Sequence, residues 1–424
     1  MNRSPLIVIL TTVFIDLVGF GIVIPVLPFY AEGTEFNATP RTVGLLFASY
    51  SIMQLIFSPI LGGLSDKYGR RPVLLLSIIG TGIGFLILGL AHTLPLLFVG
   101  RILDGITGGN ISTAQAYVAD VTTKENRASG MGLIGAAFGM GFIFGPAIGG
   151  ILSRWGVHVP FFFAAALSFA NAILLYFKLP ETVTPNRPAQ NRAARGRGFS
   201  QLIDSLKQPR LAFVLTIYFL FIVSFSIMTT SFSLYTMFRF GYDAQHTGYL
   251  FAYVGIIAVI IQGGLIGRLV KRFGELPLVI TGALCFAISL FAVPFVGPAA
   301  GGLAALLVGG GVFSLGNSLA TPALNSLASK SARPEQQGTI MGVTQSAASL
   351  ARAVGPFLTA ILIASPIAYI GADGLPHYMS DHSLYVTFWT GAAIMFLAFL
   401  LAFYFSRMSL AHRAHMGAKE GSQG

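Results

Sequence analysis

The sequence is poor in charged residues and contains a single cysteine. Only 10% of its 424 residues are charged, whereas a soluble domain carries about a quarter. With 54% hydrophobic residues, a soluble protein could not cover its surface with polar groups, so the outer surface must face lipid. The lone cysteine, Cys285, cannot form a disulfide within the chain and leaves the redox compartment open.

Motifs for enzymatic chemistry are also missing. The sequence has no nucleotide-binding P-loop, no nucleophile elbow and no His, Cys, Asp or Glu spacing typical of a metal site. None of the seven histidines falls in the middle of a long apolar run. We therefore expect no enzyme, no ATP-driven pump, no metal and no cofactor.

Long apolar runs are what the sequence has instead. A helix that crosses a membrane needs about 20 apolar residues, and these runs are too long for the strands of a membrane barrel. The first run lacks the cleavage site of a signal peptide, so we expect it to remain as a span. The runs predict an all-α, polytopic membrane protein with twelve spans at 5–30, 42–64, 72–91, 95–119, 128–153, 159–179, 210–238, 244–267, 276–297, 301–328, 337–365 and 382–406.

The distribution of basic residues predicts the orientation. With the N-terminus in the cytoplasm, 21 of the 26 Lys and Arg residues fall in cytoplasmic loops and tails, and only Arg41, Arg154 and Arg239 fall outside. This is the positive-inside pattern. It explains the net charge of +11 without nucleic acid as a partner. We expect a multi-pass protein of the cell inner (plasma) membrane, with both termini cytoplasmic.

The chain divides into two similar halves. Gly62 and 67–69 match Gly267 and 272–274 at an offset of 205 residues, and 131–152 matches 341–362 at an offset of 210. Both matches keep the chain direction, which predicts two parallel six-helix repeats around a central cavity. The expected domains are an N-terminal bundle, a cytoplasmic linker, a C-terminal bundle and a cytoplasmic tail, at 1–180, 181–209, 210–406 and 407–424.

The connection between the second and third spans has a dense motif, Gly62-Gly-Leu-Ser-Asp66-Lys-Tyr-Gly69-Arg70-Arg71-Pro72. Gly62 permits close helix approach, and Asp66 could meet the positive N-terminus of the next helix. Arg70 and Arg71 hold the loop in the cytoplasm. The motif predicts a gate at the cytoplasmic face, and the alternative is a tight turn with only a structural role.

A second motif lies in the fifth span. It carries glycines and a proline at Gly139, Gly145, Pro146 and Gly149. The glycines allow close packing, and Pro146 removes a backbone hydrogen bond and can kink the helix. Generic glycine packing explains single positions, but it explains the whole pattern less well.

Three charged residues in the N-terminal half lie where a membrane interior is expected. A charge there is costly unless it is paired, and it is a functional candidate by default. Asp16 has no basic residue within reach along its own helix, so it could take up and release a proton, or it could be a neutral structural acid. Arg101 and Asp104 are three residues apart and could pair, either for proton coupling or as a static bridge.

Polar and aromatic residues on several predicted spans indicate a large, weakly polar cavity that suits amphipathic or drug-like molecules. Arg352, in the eleventh span, needs a partner across this cavity or an anionic group of the substrate. The phenylalanines could instead face lipid. The predicted cavity residues are Gln54, Gln115, Phe225, Thr229, Asn317, Thr321, Gln345 and Arg352.

The loop motif resembles the signature of the major facilitator superfamily, and the fifth-span motif resembles that of its drug/proton antiporters. The stretches 65–76 and 16–28 are similar to tetracycline exporters. The resemblance implies proton-coupled efflux by alternating access, with protons, a small molecule and the bilayer as partners, in a chain that works as a monomer. One departure puts tetracycline in doubt, because those exporters carry an acid in the third span where this chain has Gly84.

Two other functions stay open. The first is a proton-coupled symporter or facilitator for a lipid, sugar or organic anion, which Arg101 and Arg352 would suit. The fifth-span motif argues against it. The second is a membrane sensor that transports nothing, but the tail after residue 412 is too short for a signalling domain.

Overall fold

The computed structural model describes residues 3–33, 35–123, 127–182, 209–331, 337–363, 369–370, 376–377 and 379–420. Twelve helical segments run through these residues, six before residue 182 and six after residue 209. Most of the predicted linker, 183–208, lies outside the described residues.

The first half contains six helices. Their bounds lie close to the predicted spans and generally extend a few residues beyond them. The fourth is interrupted at Gly108–Asn110 by a 3-10 turn. The helices are α1 (Arg3–Glu32), α2 (Pro40–Tyr68), α3 (Arg70–Gly89), α4 (Leu94–Thr107 and Ile111–Val121), α5 (Arg127–Ser153) and α6 (Val159–Lys178).

The second half repeats this order. Its second helix is interrupted at Ile261–Leu265 by a π-helical turn that contains Gly263 and Gly264. The helices are α7 (Pro209–Phe240), α8 (Ala244–Ile260 and Ile266–Phe273), α9 (Glu275–Ala292), α10 (Gly302–Lys330), α11 (Gln337–Leu362) and α12 (Asp381–Glu420). The last helix continues through Glu420, so the segment predicted as a tail begins as helix.

Ten of the described helices are long and apolar enough to cross a membrane. The other two predicted spans correspond to α4, which is broken by its 3-10 turn, and to α11, which carries a polar stripe that includes Gln345 and Arg352. A membrane helix can tolerate such irregular and polar segments where they line a cavity or pack inside protein. Both helices pack against other helices of the bundle.

Two helix pairs make most of the contact between the halves: α2 packs on α11, and α5 packs on α8. Within the first half, α1 packs along α5 and α3 along α6; within the second, α9 packs along α10. The structure also contains a two-residue antiparallel pair, Tyr369–Ile370 with Pro376–His377, in the connection before α12. This short pair lies in a connection between helices, and the all-α architecture predicted from the sequence is confirmed.

The two halves touch at one end of the bundle and separate at the other. We call the end that holds Gly69 and Lys330 the basic end. At the opposite end, a Cβ on Gly44 of α2 would lie 2.7 Å from the Cα of Ala360, and one on Gly150 of α5 would lie 2.5 Å from the Cα of Gly248. These small residues allow the backbones of the two halves to meet.

Candidate functional site

A cavity of about 970 Å³ lies between the halves and opens toward the basic end, where its lining includes Ser329 and Lys330. Both halves contribute to its wall. Seven of the eight predicted cavity residues line it, namely Gln115, Phe225, Thr229, Asn317, Thr321, Gln345 and Arg352.

The aromatic part of the wall is ordered by ring contacts. Phe225 of α7 stacks on Phe313 of α10 with centroids 6.1 Å apart and an interplanar angle of 17°. Phe142 of α5 meets Phe225 edge-on at 5.6 Å. Phe225 therefore lies in the cavity wall rather than against lipid, and the wall offers flat apolar surface to an aromatic molecule.

The eighth predicted residue, Gln54, lies in a small pocket beside the cavity. This pocket is also lined by Asp16, Phe20, Tyr50 and Arg352. The Gln54 amide donates to the Tyr50 hydroxyl at 2.9 Å and to the Gly108 carbonyl at 3.0 Å. These two hydrogen bonds of the Gln54 amide hold α2 against the 3-10 turn of α4.

Asp16 lies midway along α1 and faces this small pocket. The side chain of Asn110, in the 3-10 turn of α4, and the carboxyl group of Asp104 both lie near enough to the Asp16 carboxyl group to influence it electrostatically. The structure thus brings Asp16 and Asp104 together from two different helices. A carboxyl group with few polar neighbours in a membrane interior is a functional candidate.

Arg101 and Asp104 form the predicted pair on α4. Arg101 Nη1 lies 2.9 Å from Asp104 Oδ2, with side-chain exposures of 0% and 4%. The guanidinium also lies over the Tyr50 ring, 4.3 Å from its centroid. In the described structure, its Nε and Nη2 have no hydrogen-bond partner, so the pair is buried but incompletely satisfied.

Gly84 of α3 lies directly beside this pair. A Cβ at Gly84 would lie 3.1 Å from both the Cβ of Asp104 and the carbonyl oxygen of Gly100. A side chain at this position would therefore require α3 and α4 to move apart by a few tenths of an ångström. Position 84 is a packing contact against the Arg101–Asp104 segment.

The motif between α2 and α3 forms a network around Arg70, whose side chain is fully buried. Arg70 contacts Asp66 at 2.5 Å, Asp120 of α4 at 3.1 Å and the Ser65 hydroxyl at 2.5 Å. The sequence predicted that Arg70 holds this loop in the cytoplasm, and the structure adds that its guanidinium binds these three partners. The sequence also predicted that Asp66 could meet the N-terminus of α3, and in the structure Asp66 pairs with the Arg70 side chain.

The N-terminus of α3 is instead capped by Glu181, which follows α6. The backbone N–H groups of Arg70 and Arg71 donate to the two Glu181 carboxylate oxygens at 2.9 and 3.0 Å. Gly69 has φ 106°, a left-handed conformation that favours glycine. A Cβ there would lie 2.5 Å from Glu181 Oε2, so the cap also requires glycine. Gly62 packs loosely beside Ser112.

The second half repeats this network with reversed charges. Glu275 stands 205 residues after Arg70, and Lys330 stands 210 residues after Asp120, at the offsets of the sequence repeat. Glu275 and Lys330 form an ion pair, and Ser326 donates to Glu275 at 2.9 Å. Lys271 takes the place of Asp66. We call Asp66, Arg70 and Asp120 the first triad, and Lys271, Glu275 and Lys330 the second triad.

The fifth-helix motif joins α5 to α1. A Cβ on Gly145 would lie 2.6 Å from the Cα of Gly21, and one on Gly149 would lie 2.7 Å from the carbonyl oxygen of Ile22. Pro146 lies inside α5 and lines the cavity. Gly139 also lines the cavity, across from Gln262 of the π-helical turn in α8. The motif therefore has a packing face and a cavity face.

Several residues of the site were not predicted from the sequence. Tyr50 and Asn110 are ordinary polar residues of apolar helices, and only the fold brings them to Arg101 and Asp16. Asp120 and Glu181 lie at helix ends, where an acidic residue does not by itself indicate a functional role. Glu275 could have been found, because the repeat offset aligns it with Arg70. Among the described residues, no group of His, Cys, Asp and Glu side chains could hold a metal ion.

The comparisons with known proteins agree with this geometry. The family model for the Major Facilitator Superfamily matches residues 9–356. The chain is 32% identical over 417 residues to the class H tetracycline resistance protein of Pasteurella multocida, covering 98% of this chain and 99% of that protein. It is 32% identical over 376 residues to multidrug resistance protein 2 of Bacillus subtilis (strain 168), covering 87% and 91% of the two chains.

A solved structure shares the fold. It is a bacterial homologue of the human lysosomal transporter Spinster, in an inward-facing and unoccupied conformation. The TM-score is 0.70 with 15% sequence identity, covering 96% of this chain and 98% of that one.

Proposed function

The chain belongs to the major facilitator superfamily, and we propose that it exports amphipathic, drug-like molecules in exchange for protons, by alternating access. The observation that carries the proposal is a large aromatic cavity between two six-helix halves, with the Asp16 carboxyl group in a pocket beside it. Tetracycline and multidrug resistance proteins are its relatives along most of the chain. A carboxyl group beside the cavity can bind a proton from one side and release it to the other.

The basic end is the cytoplasmic side in this proposal, because most Lys and Arg residues belong to the connections at that end. Both termini are then cytoplasmic, in the cell inner membrane. With this orientation, the cavity is open to the cytoplasm and closed to the outside by Gly44–Ala360 and Gly150–Gly248. Because both halves of the cavity come from one chain, a monomer suffices.

Asp16 carries the proton in this proposal, and the Arg101–Asp104 pair is the coupled second element. Asp16 lies beside the cavity, whereas Asp104 is committed to Arg101 at 2.9 Å. A proton on Asp16 removes one negative charge next to Asp104 and Tyr50. The loss of this charge changes the electrostatic energy at the contact between α1, α2 and α4. Protonation can therefore shift the equilibrium between the two conformations of the transporter.

The loop motif and the fifth-helix motif act as gates in the same proposal. Gly62, Asp66, Gly69, Arg70 and Arg71 form the cytoplasmic edge of the first half, which must meet the second half when the cavity closes on that side. Gly139, Gly145, Pro146 and Gly149 hold α5 on α1, so that the two helices move together against α8.

The test is transport with and without a proton gradient. Inverted vesicles that contain the Asp16→Asn variant should lose pH-gradient-driven uptake of a fluorescent drug-like dye, because asparagine cannot release a proton. Counterflow of the same dye without a gradient should persist. The matched control is Asp381→Asn, which neutralises a carboxylate that pairs with Arg239 far from the cavity, and it should behave as wild type.

Two outcomes would contradict the proposal. If Asp16→Asn still concentrates the dye against its gradient, the proton site is elsewhere, and Asp104 is the next candidate. If wild-type uptake survives an uncoupler, the protein is a facilitator or uses another gradient. Proton-driven movement of dye in the same direction as the proton would identify a symporter.

A further inference from the structure

The contact between α5 and α8 becomes looser toward the basic end. Far from that end, a Cβ on Gly255 of α8 would lie 2.6 Å from a methyl carbon of Ile143 of α5. Nearer to it, a Cβ on Gly139 of α5 would lie 3.4 Å from the side-chain oxygen of Gln262, in the π-helical turn of α8. Among the glycines of the described segments of these two helices, Gly139 is the last that contacts the other helix on the way to the basic end.

Beyond this contact, bare glycine backbone faces the space between the two helices. Gly132 and Gly135 of α5 and Gly263 of α8 line the cavity, and a Cβ on any of them would meet no heavy atom within 4 Å outside its own backbone. The helix α5 packs along Ala244–Ile260 of α8, whereas Ile266–Phe273 packs on α9 and α10. We call the space between α5 and the lower part of α8, bordered by these three glycines, the glycine gap.

The glycine gap connects the cavity with the lipid-facing surface. On α8, Ile260 and Gly264 are exposed and do not line the cavity, whereas Gly263, next to Gly264, is exposed and lines it. On α5, Leu133 is exposed and does not line the cavity, whereas Met140, two helical turns further on the same face, is exposed and lines it. The border between the cavity wall and the lipid-facing surface therefore runs through the gap on both helices.

The depth of the gap matches the acyl chains of one leaflet. Gly263 precedes Arg268 by five residues, which is about 7 Å along a helix, and Gly135 follows Arg127 by eight residues, which is about 12 Å. Basic residues at the ends of spans mark the level of the headgroups on the cytoplasmic side. With the basic end in the cytoplasm, the gap lies in the hydrocarbon of the inner leaflet.

From these observations, we propose that lipophilic substrates enter the cavity sideways, from the inner leaflet and through the glycine gap. The proposal rests on the proposed function, which supplies the substrate class and the orientation. An amphipathic molecule concentrates in the leaflet because its apolar surface leaves water there. The gap lets its apolar part pass between the halves without crossing water, and the glycines leave no side chain that must move aside.

Two dyes with one aromatic head group test this route. Acridine orange alkylated at its ring nitrogen with a methyl group is the water-soluble probe, and the same dye with an octyl chain is the membrane probe. Initial rates of counterflow without a proton gradient are measured for both dyes in inverted vesicles, so that the result does not depend on proton coupling. The methyl dye can enter from water through the open basic end.

Variants that fill the gap should slow only the membrane probe. Gly135→Leu and Gly263→Leu place a side chain in open space, so the protein should fold. Counterflow of the octyl dye should fall by about tenfold, since the dye must force the new side chain aside as in an overpacked core. Counterflow of the methyl dye should not change. The matched control is Gly264→Leu, in the same π-helical turn but outside the cavity wall, and it should leave both rates unchanged.

A second measurement asks directly whether lipid reaches the gap. A bimane fluorophore is attached to Gly135→Cys in a Cys285→Ser background, in nanodiscs whose lipids carry a nitroxide on the acyl chain. The nitroxide should quench bimane at position 135, as it should at Ile260→Cys on the lipid face. Bimane at Asn317→Cys, on the opposite cavity wall in α10, should keep its fluorescence.

The outcomes separate this inference from the proposed function. If the gap-filling variants leave octyl-dye counterflow unchanged, or slow both dyes equally, the sideways route is overturned, even when uptake is proton-driven. Absence of quenching at position 135 overturns it as well. If the octyl dye alone is slowed and quenching is seen, but wild-type uptake survives an uncoupler, the route stands and proton coupling fails.

Discussion

At the scale of single residues, Gly84 lies at a close contact between two helices. The resemblance to tetracycline exporters implied that Gly84 stands where they carry an acid. The structure adds that α3 and α4 touch at Gly84, Gly100 and Asp104. The chain thus has two acids at this depth, Asp16 on α1 and Asp104 on α4, and no third on α3.

A substitution series tests the contact at Gly84. Alanine in a helix is more favourable than glycine by about 1 kcal/mol when there is room for its methyl group. Gly309 of α10 has no heavy atom within 4 Å of an added Cβ, so Gly309→Ala should leave the melting temperature unchanged or raise it. Gly84→Ala should lower it, because the methyl group would meet Asp104 and Gly100 at 3.1 Å.

Thermal unfolding in detergent, followed by intrinsic fluorescence, measures both variants of this series. The Gly309→Ala variant controls for the general effect of alanine in a membrane helix. A rise in melting temperature for Gly84→Ala would show that the helices can separate at little cost, and an acid at position 84 would then be tolerated.

At the scale of elements, the connection between α2 and α3 is held by more partners than its own motif provides. The sequence predicted a gate here, with a tight structural turn as the alternative, and the structure adds that Gly69 has a left-handed backbone. The partners Asp120 and Glu181 come from the ends of α4 and α6. Sequence spacing cannot reveal them, because only the packing of the helices sets the distance between these ends.

The two acids that pair with Arg70 should contribute unequally. The Asp120 side chain is 4% exposed, and the Asp66 side chain is 19% exposed. Asp120→Asn should therefore destabilise the protein by about 1–3 kcal/mol, the cost of a weakened buried charged contact. Asp66→Asn should cost less than about 1 kcal/mol, in the range of partly exposed pairs.

Unfolding in denaturant, with both aspartate variants and the wild type measured side by side, checks this order. Asn has nearly the shape of Asp, so packing is held constant between the variants. A larger loss for Asp66→Asn than for Asp120→Asn would mean that the short Asp66–Arg70 contact carries most of the network.

At the scale of the whole molecule, the sequence repeat predicted the architecture well. The helix count, the parallel halves and the central cavity all follow from hydropathy, loop charge and the two offsets. The direction in which the cavity opens could not be predicted, because both conformations use the same helices. The direction of opening depends on the end of the bundle at which the two halves make contact. In this structure, the halves meet at Gly44–Ala360 and Gly150–Gly248.

The two triads should attract each other when the basic end closes. The first triad has two acids and one base, and the second has two bases and one acid. Opposite net charges favour contact between the halves on that side, and the attraction is screened by salt. The variant Lys271→Glu gives the second triad two acids and one base, the same net charge as the first triad, and it leaves the Glu275–Lys330 ion pair in place.

This exchange should hold the basic end open more of the time. A cysteine at Gly132, on the cavity wall in α5, in a Cys285→Ser background, reports the opening through its labelling rate with a hydrophilic maleimide. The rate should increase in the Lys271→Glu variant, and the difference from the protein with Lys271 should shrink at high salt. Equal labelling in both proteins would mean that the triads stabilise each half separately and do not meet.

The opposite polarity of the two triads constrains how such a chain can arise by duplication. Two copies of the first half would bring triads of the same sign together at the basic end, and that end would resist closing. A duplicated ancestor therefore gains this attraction at the basic end only after one copy has exchanged its acids for bases and its base for an acid. After that exchange neither half can substitute for the other, and a single gene keeps the two in equal number.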